Sequence, residues 1–224
     1  MVKYQDIKIL YEDNHLLVVV KPANLPTCLD SSKDKDLLSL MKEYIKEKYH
    51  KPGNVYLGLV HRLDRPTEGI IVFAKTSKAA ERLSKQINNK EFTKTYYAVV
   101  EGTPEKEGTL KDYLYKDEKT NTSYIKDESK GKLAILEYQN IKTVNNLSLI
   151  RINLLTGRHH QIRVQFSSRN YPLYADHKYN QNFINNSKET LALIAKELSF
   201  YHPITKELLH FEIELPKKYP YTLF

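Results

Sequence analysis

Apolar positions along the chain change period several times, and each change marks an element. Residues 7–20, IKILYEDNHLLVVV, predict two short strands around a turn at Glu12-Asp13-Asn14, with Leu16 to Val20 the more buried strand and Lys21-Pro22 ending it. Leu37, Leu38, Met41, Tyr44, Ile45 and Tyr49 recur at helical spacing and predict an amphipathic helix over 35–49, with Ser32 or Asp34 as N-cap. Ile70 to Phe73 form an uninterrupted β-branched and aromatic run, the pattern of a strand buried on both faces. Ser77 is placed to cap a second helix of about 78–89, with Ala80, Leu83 and Ile87 inward and Asn88-Asn89 at its end.

In the second half, FTKTYYAVVEG alternates so that Tyr96, Ala98 and Val100 share one strand face and Thr95, Tyr97 and Val99 the other. Residues 103–131 are dominated by Lys, Asp, Glu, Thr and Gly and read as short surface hairpins with a mobile connection. Segments 132–144 and 147–155, split by Asn145-Asn146, predict a hairpin with Ile150, Ile152 and Leu154 on one face. In RHHQIRVQF the period is ambiguous: Ile162, Val164 and Phe166 alternate as in a strand, while Ile162 and Phe166 also fit a helix. Two strands around His202-Pro203-Ile204-Thr205 close the chain.

Chemistry concentrates in residues 61–76, HRLDRPTEGIIVFAKT, where a charged loop feeds the buried run. Pro66 fixes its own φ, lacks an N–H and biases Arg65 away from helical geometry, so Asp64 belongs at the lip of a strand. A core strand gives such a loop a rigid mount. Two readings of Asp64 follow: a positioned carboxylate for chemistry, or an acceptor for the turn behind it.

At 224 residues the chain fits one large domain, 1–224, or two closely packed subdomains. Its 35 Lys and Arg against 27 Asp and Glu leave a formal charge of +8, which fits a polyanionic partner or a well-solvated lysine-rich surface. The single cysteine, Cys28, excludes an intrachain disulfide and a multi-cysteine zinc site. No apolar stretch has the length of a signal core or a membrane span, so the expectation is a cytoplasmic monomer without membrane contact. His159-His160 invites a metal reading, but adjacent helical residues diverge and no Cys or carboxylate stands at ligand spacing, so no metal is expected. No glycine-rich phosphate loop or dinucleotide fingerprint occurs, and no cofactor is expected.

The block HRLDRPTEGIIVFAKT closely resembles the catalytic signature of the RluA family of RNA pseudouridine synthases, with Glu68 where the family usually has Ser. ILYEDNHLLVVVKPANLPT is similar to the family's opening, and Lys94 to Gly102 to its second motif. LLTGRHHQIRVQF is similar to the third, with His159 for Thr, Gln165 for the second His and Phe166 for Leu, which implies a helix starting near His159. PLYADHKY matches a further pattern with Ala175 for Gly, and the closing strands match as well, so the resemblance runs in order along nearly the whole chain. It implies a minimal form without the family's common N-terminal S4-type RNA-binding domain.

The resemblance implies an α+β pseudouridine synthase fold, a mixed, mostly antiparallel sheet flanked by helices around a basic cleft. The implied function is site-specific isomerisation of uridine to pseudouridine in structured RNA, ribosomal or transfer. It assigns the catalytic carboxylate to Asp64, a guanidinium partner to Arg163 and a base-contacting role to Tyr96, by stacking or by proton removal. Extruding the target nucleotide leaves a gap that Arg62 is placed to fill. Arg62, Arg65, Lys75, Lys94 and Arg158 are the expected RNA contacts, with His61 bracing the loop through a backbone hydrogen bond. Two alternatives stand beside this: a catalytically silent RNA-binding or RNA-chaperone protein on the same fold, and a hydrolase with Asp64 as nucleophile and His61 as base.

Overall fold

The computed structural model describes residues 2–30, 32–184 and 188–224. In chain order its elements are β1 (Ile9–Glu12), β2 (Leu16–Lys21), α1 (Leu37–Lys48), β3 (Gly58–Leu59), β4 (Glu68–Ala74), α2 (Ser77–Asn88), β5 (Thr93–Glu101), β6 (Glu107–Asp117), β7 (Thr122–Lys126), β8 (Lys132–Val144), β9 (Leu147–Leu154), α3 (Gln161–Ser167), β10 (Leu193–Tyr201) and β11 (Leu208–Glu212). The chain divides into two compact units, Met1–Thr93 with Glu197–Ile213, and Lys94–Lys196 with Glu214–Phe224.

In the first unit β4 pairs antiparallel with β2, setting Val18 opposite Val72 and Val19 opposite Ile71. Alternation then splits these apolar strands between two cores. Leu17, Val19, Ile71 and Phe73 pack on Leu37, Leu40, Met41 and Ile45 of α1. Leu16, Val18, Ile70 and Val72 pack with Ala79 and Leu83 of α2 and with Phe92, Leu198 and Phe200. A strand covered on both faces needs no polar alternation, which is why β4 is an unbroken apolar run. Each such side chain contributes about 1.5–3 kcal/mol by leaving water.

Both helix caps fall elsewhere than the pattern predicts. Asp36, not Ser32 or Asp34, caps α1, accepting from the Ser39 N–H at 3.0 Å. Thr76, not Ser77, caps α2, accepting from the Ala79 N–H at 3.1 Å. A cap must be extended while reaching the third residue of the helix, and Asp36 (φ −118°, ψ 160°) and Thr76 (φ −138°, ψ 152°) meet both conditions.

The second unit is built on the strand order β5-β9-β8-β6-β7, with each neighbouring pair antiparallel. Asn145 and Asn146, at φ 52° and 61°, make the tight left-handed turn of the β8–β9 hairpin. The polar stretch 103–131 contains an eleven-residue strand, β6, and its hairpin partner β7, where the composition predicts only short hairpins. One face of β6 is marked by just two buried leucines, Leu110 and Leu114, while the other carries polar and tyrosine side chains, so its alternation is faint in the sequence.

The ambiguous segment is helical, but α3 begins at Gln161, two residues after His159, because His160 turns into the left-handed region at φ 53°. Ala175, standing where the resemblance expects glycine, keeps a positive φ of 55° and accepts the strain.

Candidate active site

In the first unit, Asp64 sits on the loop between β3 and β4, half-exposed between two residues that are held fast. Before it, buried Thr27 grips both backbone groups of Leu63: its hydroxyl donates to the Leu63 carbonyl at 2.7 Å and accepts from the Leu63 N–H at 3.3 Å. After it, the fully buried Lys21 ammonium donates to the Arg65 carbonyl at 3.0 Å, and also to those of Pro22 at 3.0 Å and Leu25 at 2.8 Å. Three carbonyls match its three N–H donors. Burial pushes the Lys21 pKa down to about 7, against the opposing pull of the Asp64 and Glu68 carboxylates.

The rest of the loop is pinned as well. The Thr67 N–H donates to the Asp64 carbonyl at 3.0 Å, closing the turn over Arg65-Pro66. His61 Nε2 accepts from the Val72 N–H at 3.0 Å, the backbone brace expected of it, which fastens the start of the loop to β4. Gly69, at φ 130°, lets the chain enter β4 with backbone geometry that a side chain would disfavour.

The basic residues near Asp64 divide by use. Arg62 is exposed. Arg65 pairs with Asp34, lies 3.9 Å from Asp30 and donates to Ser32 Oγ at 3.1 Å, tying the Asp64 loop to the segment that precedes α1. Lys75 serves the fold, because its side chain is only 9% exposed and its ammonium is bound by Glu12 Oε1 at 2.8 Å and by the Asp13 carbonyl. Glu12 also takes Lys48, Tyr44 and Tyr49, and these donors outweigh the upward push of burial, bringing its pKa down to about 2.

In the second unit, Tyr96 is buried on β5 opposite Ile152 of β9. Arg163, buried in α3, makes a two-pronged pair with buried Asp176, Nε to Oδ2 at 2.8 Å and Nη2 to Oδ1 at 2.7 Å. The N–H groups of Lys178 and Tyr179 donate to the same Oδ1, and the guanidinium lies 5.1 Å from the Tyr179 ring centre. The His159 and His160 rings are stacked with centres 3.7 Å apart, because they precede the helix instead of lying on it. His159 Nδ1 meets Ser123 Oγ and His160 Nδ1 meets the Tyr179 hydroxyl, each at 2.8 Å. Burial first, then the Arg163 charge, pushes the His160 pKa down to about 2, so its ring is neutral at ordinary pH.

Lys94 is half-buried, its pKa lowered by burial, and its ammonium lies beside Gly157; Arg158 is exposed and donates Nε to the Leu133 carbonyl at 2.8 Å. Among the described residues no group of three or more His, Cys, Asp or Glu is arranged to hold a metal ion, and no helix is long and apolar enough to cross a membrane.

In the sequence Lys21-Pro22 reads only as a strand end, and neither Thr27 nor Asp176 stands out. A lysine closing an apolar strand is a signal that its ammonium needs buried acceptors. Thr27 carries no such signal, since its partner is 36 residues away.

The chain is similar to proteins of one class. Residues 15–168 match the family model described as RNA pseudouridylate synthase. A protein of Buchnera aphidicola named ribosomal large subunit pseudouridine synthase C is 34% identical over 207 residues, covering 89% of this chain and 64% of the relative. One of Zymomonas mobilis named ribosomal large subunit pseudouridine synthase D is 33% identical over 225 residues, covering 95% and 71%. The solved structure of human RNA pseudouridylate synthase domain containing 4 superposes with a TM-score of 0.78 at 22% identity, covering 94% of this chain and 89% of that one, which bears on the fold. The architecture is the α+β pseudouridine synthase fold. The chain belongs to the RNA pseudouridylate synthase family, a class of RNA-modifying isomerases.

Proposed function

We propose that this protein converts uridine to pseudouridine in RNA with Asp64 as the catalytic carboxylate, and that its substrate is ribosomal RNA of the large subunit. The observation that carries the reading is the mount of Asp64: a half-exposed carboxylate whose two chain neighbours are both clamped by buried side chains. A carboxylate that only served its turn would not need that bracing, whereas one that must meet a sugar or base in a fixed geometry does. The choice of ribosomal RNA follows the names of the relatives.

The reaction breaks N1–C1′, turns the base and joins C5 to C1′; the proton lost from C5 is balanced by one gained at N1, so neither cofactor nor energy source enters. Tyr96 contacts the base, by stacking or by receiving the C5 proton, and Arg163 completes the catalytic set. Arg62 fills the stack left by the extruded nucleotide, and Arg65, Lys94 and Arg158 meet phosphates. Lys75 drops out of that set because Glu12 holds its ammonium inside the fold.

The test is tritium release from ribosomal and transfer RNA carrying [5-³H]uridine. Release from ribosomal RNA by the wild type and none by Asp64→Asn is the expected result. Binding without release by the wild type would establish the silent RNA-binding alternative, and release from transfer RNA alone would overturn the substrate.

A further inference from the structure

The β6–β7 hairpin presents an outer face that the catalytic reading does not use. Alternation buries Leu110, Leu114 and Ser123 on one side and turns Lys111, Tyr113, Tyr115, Tyr124 and Lys126 to the other. The strand register sets Tyr115 opposite Tyr124 and Tyr113 opposite Lys126. Tyr115 and Tyr124 are each 45% exposed. The Tyr113 ring is only half-exposed, so Tyr115 and Tyr124 are the open pair. Behind them Ser123 locks the hairpin to the 159–179 region: its N–H donates to the Tyr179 hydroxyl at 2.8 Å and its Oγ meets His159.

A cross-strand tyrosine pair steadies a hairpin modestly, but this one is already fixed from its inner side, and stability does not call for so much aromatic surface in water. An exposed aromatic ring stacks on any unpaired base, while a base inside a duplex has its faces covered. Lys126, opposite Tyr113, and exposed Lys111, one place beyond Tyr113 on the same face, put positive charge at one end of the pair, as a phosphate backbone requires, in a chain of net charge +8.

We propose that this face binds a single-stranded segment of RNA, with bases stacked on Tyr115 and Tyr124 and phosphates met by Lys111 and Lys126. The proposal deepens the RNA reading above and rests on it for the identity of the ligand, but not on catalysis.

The experiment uses the full chain carrying Asp64→Asn, so that turnover plays no part, and a synthetic oligoribonucleotide of about a dozen residues containing 5-iodouridine. Irradiation and mass spectrometry locate the crosslinks, and anisotropy gives the affinity. Crosslinks are expected at Tyr115 or Tyr124. Tyr115→Ala with Tyr124→Ala should weaken binding about tenfold or more, and Tyr115→Phe with Tyr124→Phe should leave it nearly intact, since stacking needs the ring and not the hydroxyl. Lys111→Gln with Lys126→Gln should lower affinity and flatten its salt dependence.

If the alanine pair fails to fold by circular dichroism, the phenylalanine and glutamine pairs and the crosslink positions decide. Unchanged affinity in folded alanine variants, crosslinks confined elsewhere, or equal loss in the phenylalanine variants would overturn the proposal. So would a change in self-association at constant RNA affinity, which would assign the face to a second copy of the chain. Crosslinks at these tyrosines from a wild-type protein that releases no tritium would sink the catalytic reading and leave this one standing.

Discussion

The Lys21 ammonium lies 3.0 Å from the carbonyl oxygen of Arg65, the residue that follows Asp64. Thr27 does the same service on the other side through Leu63, so the carboxylate is suspended between two buried anchors from the β2 end and the loop behind it. Thr27→Val keeps the shape and removes the hydroxyl. Leaving Leu63 unpaired in the interior should cost about 1–3 kcal/mol in urea unfolding. It should also reduce the rate of tritium release by roughly 10–100-fold through misplacement of Asp64. Thr27→Ser should restore most of both.

Lys21→Met should be harsher on stability than Lys21→Arg. Methionine leaves the buried Leu25 carbonyl and the part-buried Pro22 and Arg65 carbonyls without this donor, a loss of about 1–3 kcal/mol, while the bulkier arginine keeps charge and donors but must displace the loop. Thermal unfolding of the two variants, compared with Asp64→Asn as a half-exposed control, measures the difference.

Asp176→Asn should destabilise the second unit by about 1–3 kcal/mol, because it takes the negative charge out of the buried two-pronged pair with Arg163. Hydrogen exchange on residues 161–167 should rise in this variant, with unfolding monitored by denaturant. Unchanged exchange there would mean that the pair does not anchor α3.

Stability should fall as pH drops from about 6.5 towards 2. His160 is neutral in the folded protein down to about pH 2 but takes a proton near pH 6.5 when unfolded, so over that window the unfolded chain binds more protons. One such group contributes a slope of at most about 1.4 kcal/mol per pH unit. Glu12, brought down to about 2, adds a second loss below about pH 4.5, where only the unfolded chain protonates it. Denaturant melts from pH 8 to 4 should show the first loss and His160→Gln should flatten it.

Asn146→Gly should stabilise the β8–β9 hairpin by up to about 1 kcal/mol. Asn146 sits at φ 61° in a two-residue turn, where asparagine followed by glycine is the preferred pair. A thermal midpoint that falls instead would show that the Asn146 side chain holds something the turn geometry does not need.

Elements that carry their own period were determined by the sequence: the two-face burial of β4, the stripe of α1, the β8–β9 hairpin and its asparagine turn. Each expresses contacts between near neighbours or burial of one whole segment, and such constraints are written locally. The loop motif around Asp64 was legible for the same reason, since Pro66 and the apolar run behind it act within a few residues. Tertiary structure alone decided the rest. Lys21 and Thr27 find the Asp64 loop 44 and 36 residues away, Lys75 meets Glu12 across 63 residues, and Asp176 pairs with Arg163 from outside its helix. A buried donor or acceptor must be paired by whatever the fold brings near, and no local pattern specifies that partner.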